Sequence, residues 1–170
     1  HDVGVDIEVT PGGVRLTTSV TPTGRRSVPV SFGWHPYFRI PGVRSRADLV
    51  VGLPAAHRLE LDPSMIPTGR ESRWAAEEAP LGRRTFDHAF RLGRTSRFRL
   101  AAAAGDGAAT RSLTLEMDSG YPNAQVYAPA GSSFVAFEPM TAPAGALSRG
   151  GLETAAAGST FAATFTLQVT

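Results

Sequence analysis

Apolar and polar residues alternate with a period of two along much of the chain. In the stretch VGVDIEVT, Val3, Val5, Ile7 and Val9 alternate with Gly4, Asp6, Glu8 and Thr10, and after the turn TPGG the alternation resumes at Val14, Leu16, Thr18 and Val20. Successive side chains of an extended strand point to opposite faces, so this pattern predicts a hairpin with one wet face. The same period returns at Leu113, Leu115 and Met117, and at the C-terminal end in Phe161, Ala163, Phe165, Leu167 and Val169. Between these lie PVSFGW, ADLVVGL, RFRLAA, AQVYAP and SSFVAFEP, each short and bounded by Gly, Pro, Ser or Asp. One brief helix is expected near SRWAAEEAP. With 18 glycines and 13 prolines punctuating short strands, the pattern predicts an all-β antiparallel sandwich over residues 1–170, without internal repeat or flexible linker. The chain opens directly on a strand with no initiating methionine, which leads us to expect further sequence upstream.

Composition narrows the possibilities. A chain of 170 residues with 42% hydrophobic content reads as a soluble globular protein with one sizeable core. All 17 basic residues are arginine and they are scattered, with a formal charge of only +2, which argues against nucleic acid as a partner. No apolar run approaches the roughly eighteen residues that would span a bilayer, and the N-terminal stretch has no signal-peptide pattern. A cytoplasmic location with no membrane partner is the expectation. There are no cysteines, so disulfides, thiolate nucleophiles and sulfur-bound zinc are excluded, leaving histidine and carboxylate chemistry or simple binding. No metal or other cofactor is expected.

Polar residues stand out where the strand pattern disfavours them. SFGWHPYFRI places His35, one of four histidines, inside a run of four aromatic residues. It reads either as a packed core histidine or as a catalytic acid held still. In SSFVAFEPM, Phe134, Ala136 and Glu138 fall on one face and Val135 and Phe137 on the other, so Glu138 ends a strand that otherwise looks buried. A buried carboxylate needs compensation, either an arginine partner or a functional cleft, and Pro139 is expected to stop the ladder there. Asp87 lies beside His88 in TFDHAFRL, where a turn-forming aspartate is the plain alternative. NAQVYAP puts Asn123, Gln125 and Tyr127 on one face, which an exposed edge strand would also do. His1 and His57 are expected to be exposed.

Taken in order, FGWHPYF, FDHAF, AQVYAP and FEPMTAPAGAL resemble the C-terminal part of the aldose 1-epimerases, the galactose mutarotases. The resemblance covers essentially all of this chain and somewhat over half of a usual family member. It implies a galactose mutarotase-like supersandwich, incomplete on its N-terminal side, with a sugar cleft on one sheet. By motif, His35 resembles the family's general acid and Glu138 its general base; Asp87 and Gln125 resemble its sugar-binding contacts. An arginine and a second histidine that the family carries upstream of HPYF have no counterpart before Ser31, and Ala144 and Gly145 stand where relatives often hold polar residues.

The activity implied is interconversion of the α and β anomers of a free aldohexose such as galactose or glucose. A base takes the anomeric hydroxyl proton while an acid protonates the ring oxygen, and the two exchange roles on reclosure, so both need proton affinities near working pH. Histidine is there already; the apolar neighbours Phe134, Val135 and Phe137 would raise the glutamate by disfavouring its charge. Trp34, Tyr37 and Phe38 are expected to wall the imidazole. A sugar-binding module without turnover, and an epimerase of hexose 6-phosphates using Arg39, Arg44 and Arg46, are the alternatives. A sandwich lacking its first strands would expose edges and apolar surface, inviting the missing N-terminal half or a second copy as partner.

Overall fold

The structure, a computed structural model, describes residues 1–94, 96–102 and 111–170. Among these residues the chain runs through β1 (Asp2–Thr10), β2 (Gly13–Thr21), β3 (Val28–Pro29), β4 (Tyr37–Phe38), β5 (Leu49–Leu53), β6 (Ala56–Leu61), β7 (Pro67–Trp74) and β8 (Glu77–Pro80). It continues through β9 (Phe86–Leu92), β10 (Ser96–Ala102), β11 (Arg111–Ser119), β12 (Asn123–Ala128), β13 (Val135–Met140), β14 (Thr154–Ala155) and β15 (Phe161–Val169). A 3-10 turn at Arg46–Asp48 and a four-residue helix α1 (Ala146–Arg149) complete it. No helix among the described residues is long and apolar enough to cross a membrane.

The strands form a seven-stranded sheet in the order β1-β2-β15-β11-β10-β5-β8 and a six-stranded sheet in the order β4-β13-β12-β9-β6-β7, with β14 and β3 paired separately. Every pairing is antiparallel, so the expected all-β sandwich is what the chain adopts. The core lies between the sheets. Leu16 from β2, Val51 from β5, Phe98 and Leu100 from β10, and Leu115 from β11 meet Phe90, Val126, Val135 and Phe137 from the facing sheet. These are the alternate positions that strand geometry turns to one side.

Three local expectations are corrected. SRWAAEEAP is not a helix: Ser72 to Trp74 end β7, and Glu77 to Pro80 form β8 on the edge of the larger sheet. Trp74 packs edge-on against Phe90 and His88, and this tertiary packing overrides the local helical preference of alanine and glutamate. Pro139 does not end its strand, because β13 continues to Met140, with Pro139 opposite Ala124. The Pro139 carbonyl accepts the Trp34 N–H at 3.0 Å; N and O of one strand residue face the same neighbour, so the missing N–H falls on the side away from β12 and breaks no bond to it. The first hairpin pairs as expected from Asp2↔Thr21 to Thr10↔Gly13, yet β1 has no dry face, for Val3, Val5, Ile7 and Val9 are all exposed.

Candidate active site

The register of four neighbouring strands assembles the site on the outer face of the six-stranded sheet. Tyr37 of β4 lies opposite Ala136 of β13, Glu138 of β13 opposite Gln125 of β12, and Tyr127 of β12 opposite Asp87 of β9. Residues two apart share a face, so Tyr37, Glu138, Gln125, Tyr127 and Asp87 point outward together. Phe38, Val135, Phe137, Val126 and Phe86 alternate with them and are buried below. An open cleft of about 410 Å³ lies over this face, lined by His35, Tyr37, Met65, Asp87, Gln125, Tyr127, Glu138, Met140 and Ala144. All four residues singled out from the sequence border it.

His35 enters from the segment just before β4. That segment is laced to the end of β13: Trp34 N–H donates to the Pro139 carbonyl, Thr141 N–H to the Phe32 carbonyl at 2.9 Å, and Phe32 N–H to the Thr141 hydroxyl at 2.9 Å. The acid and base candidates, 103 positions apart, are thereby held on adjoining backbone. His35 Nε2 lies 3.0 Å from Glu138 Oε1, with the histidine side chain half exposed and the glutamate side chain 10% exposed. The approach is close but not aligned for donation, because Oε1 is buried and accepts no hydrogen bond. The imidazole therefore does little to offset burial of the carboxyl group. Burial first, and the nearby charge of Asp87 second, push Glu138 up to about 7. Among the described residues no arginine forms an ion pair with Glu138; the pairs recorded for Arg70, Arg84, Arg91, Arg97 and Arg99 are with Glu60, Glu77, Glu71, Glu116 and Glu78.

The remaining predicted residues form a hydrogen-bonded couple. Gln125 Nε2 donates to Asp87 Oδ1 at 2.6 Å, which fixes the amide; both residues line the cleft, and the second carboxylate oxygen and the amide oxygen are further acceptors. The aromatic wall around His35 is smaller than expected. Tyr37 stacks on the imidazole at 4.7 Å and 22°, whereas Phe38 packs inward on Phe137. Trp34 points inward too, with its indole N–H bonded to Thr18 on the other sheet. His57 is half-buried rather than exposed, its Nδ1 3.3 Å from Glu71, and His1 is exposed at the terminus.

Sequence reasoning did not single out Met65. It stands in the left-handed region at φ 60° in the turn between β6 and β7, where the Asp62 carboxylate accepts N–H groups from Ser64 and Ile66 at 2.9 and 3.0 Å. An aspartate bonding the backbone two residues on favours such a turn, and the DPSM stretch carries that signal. Gly145, next to the cleft residue Ala144, has φ 76°, and a Cβ there would come within 2.9 Å of the Ile66 side chain, so the backbone conformation and the close packing both favour glycine. Among the described residues no three histidine, aspartate or glutamate side chains converge as metal ligands.

Comparison with known proteins gives a consistent result. The family model described as aldose 1-epimerase matches residues 2–167. The fold resembles that of an aldose 1-epimerase from Escherichia coli K12, described as putative, at 19% identity, with a TM-score of 0.72 over 99% of this chain and 60% of that one. It also resembles a galactose mutarotase related enzyme from Lactobacillus acidophilus at 16% identity, with a TM-score of 0.78 over 99% of this chain and 61% of that one. An aldose epimerase homologue from C. elegans aligns at 15% identity, with a TM-score of 0.76 over 99% and 59%. The chain thus spans about 60% of the length of these structures. No curated protein sequence matches it significantly.

Proposed function

The chain belongs to the aldose 1-epimerase family, and from that premise we propose that it interconverts the α and β anomers of a free aldohexose by general acid/base ring opening. The observation that carries this reading is the approach of His35 Nε2 to Glu138 Oε1, 3.0 Å apart at one open cleft. The two oxygens that must exchange protons, the anomeric hydroxyl and the ring oxygen, are both bonded to C1. An acid and a base that serve them together must lie within a few ångströms of each other, as this pair does.

In the forward direction Glu138, ionised, takes the proton of the anomeric hydroxyl while protonated His35 gives one to the ring oxygen. The bond between C1 and the ring oxygen breaks and the free aldehyde forms. Rotation about the C1–C2 bond presents the other carbonyl face, and the ring oxygen closes on it as His35 recovers its proton and Glu138 returns one. No net proton is gained or lost. A carboxyl group raised to about 7 can act in both senses near neutral pH, and each positioned group typically contributes about a hundredfold to ten-thousandfold. Asp87 and Gln125 bind sugar hydroxyls, and Tyr37 and Tyr127 offer apolar faces to the pyranose ring.

A free sugar fits this cleft better than a phosphorylated one. Arg46 spends its guanidinium on the Pro129 and Arg84 carbonyls, Arg39 lies over the Phe134 ring, and neither they nor Arg44 line the cleft. Polarimetry of freshly dissolved α-galactose or α-glucose tests the proposal. The chain should speed relaxation, while His35→Asn and Glu138→Gln should each reduce the rate at least a hundredfold and remain folded. Retention of most activity by either variant would remove that residue from the reaction.

A further inference from the structure

Thr18 occupies a position that the strand pattern reserves for an apolar side chain. It follows Leu16 and precedes Val20 on the inward face of β2, and all three are buried. A hydroxyl in that environment is costly unless bonded. Its partner comes from the segment beside β13, across the sandwich: Trp34 Nε1 donates to Thr18 Oγ1 at 3.0 Å. The Tyr121 hydroxyl is buried beside the same two groups, and the indole packs on Phe165 at 6.4 Å and 67°. Trp34 is the residue immediately before His35. Its side chain goes inward and that of His35 outward, and its N–H is tied to Pro139, next to Glu138.

We propose that Thr18 is a positioning residue for His35: by fixing the indole of Trp34 across the sandwich it sets the backbone rotation that holds the imidazole over Glu138. The inference rests on the acid role proposed for His35. The stack on Tyr37 restrains the half-exposed imidazole on one side only, and the bond between Trp34 and Thr18 restrains it from beneath. A valine at 18 would fill the same volume but leave the Trp34 indole N–H without its acceptor, so what the hydroxyl adds beyond packing is the bond that orients the indole.

The variants Thr18→Val and Thr18→Ser separate the two roles, because the first keeps the shape and loses the hydroxyl while the second keeps the hydroxyl. Thr18→Val should lower kcat for anomer exchange about tenfold to a hundredfold and leave KM within about twofold, since Asp87 and Gln125 are untouched. Thr18→Ser should restore most of kcat. Trp34→Phe removes the same bond from the other side; it should reproduce the loss, and combining it with Thr18→Val should add little. It also serves where Thr18→Val does not fold. Independently of turnover, nuclear Overhauser contacts between the His35 and Tyr37 rings should weaken in Thr18→Val and persist in Thr18→Ser. Wild-type kcat together with unchanged ring contacts in Thr18→Val would overturn the proposal. A wild-type chain that does not accelerate anomer exchange would instead sink the epimerase reading, and the ring contacts would still decide the role of Thr18.

Discussion

Glu138 is set among apolar strands with its side chain 10% exposed and no hydrogen bond to Oε1, and this placement acts on stability and reactivity in opposite senses. Its carboxyl group is harder to ionise in the fold than in the unfolded chain, with a value raised from 4.5 to about 7. Folding is therefore unhindered by this group below the unfolded value and opposed by it increasingly as pH rises through the folded value. Above that point the cost is on the order of 3 kcal/mol. Glu138→Gln should accordingly raise Tm at pH 8 and leave it nearly unchanged at pH 4, while reducing turnover at least a hundredfold; calorimetry at the two pH values checks the stability change. In the base role proposed for it, the same group must be ionised in the free protein, so kcat/KM should fall on the acid side with a midpoint near 7 and that limb should be absent from the residual rate of Glu138→Gln. The sequence showed Glu138 as out of place because Phe134, Val135 and Phe137 surround it; that Asp87 would share in raising it was invisible, since the proximity of the two carboxylates depends on β9 and β12 pairing.

At the level of elements, the decisive piece is not a regular strand. Residues 31–36 hold just one isolated bridge, Gly33 to Met140, and local periodicity has nothing to say about such a segment. A Cβ on Gly33 would meet the Pro139 carbonyl oxygen at 2.7 Å, a contact with backbone that no rotamer change relieves. Gly33→Ala should therefore push the His35 segment off β13, costing about 1–3 kcal/mol of stability and reducing kcat by more than the loss of folded protein explains; denaturant titration beside polarimetry separates the two. The regular elements were legible for the converse reason. β12 alternates polar Asn123, Gln125 and Tyr127 with apolar Ala124, Val126 and Ala128, β13 is an apolar run broken by Glu138, and once Phe137 and Val126 point to the core, Glu138, Gln125 and Tyr127 must point to the cleft. The failed helix at SRWAAEEAP shows the limit: the local preference of Ala75 to Glu78 for helix is worth only tenths of a kcal/mol per residue, about the scale at which the packing of Trp74 on Phe90 can settle the outcome from outside the segment.

Across the whole molecule, the two sheets do not cover each other fully. Val3, Val5, Ile7 and Val9 lie opposite Val20, Thr18, Leu16 and Val14 of β2 and so face the same side as the buried Leu16, Thr18 and Val20. They remain 62%, 48%, 61% and 74% exposed, because no strand of the six-stranded sheet lies over them. The alternation in β1 was read correctly as a strand with an apolar face; whether that face would be covered depends on the partner sheet, which no pattern within β1 encodes. A row of apolar side chains continuous with the core, on a strand whose outer edge is unpaired, is a surface that binds apolar probes and other chains. The 170-residue chain should thus enhance the fluorescence of anilinonaphthalene sulfonate at pH 7 while giving the far-ultraviolet spectrum of a folded β protein. The double variant Val5→Lys with Ile7→Lys should remove most of that signal and shift stability by no more than about 0.5 kcal/mol per site, the usual range for surface positions. An unaltered dye signal in the double variant would place the exposed apolar surface elsewhere, and a large loss of stability would mean that β1 is covered in solution.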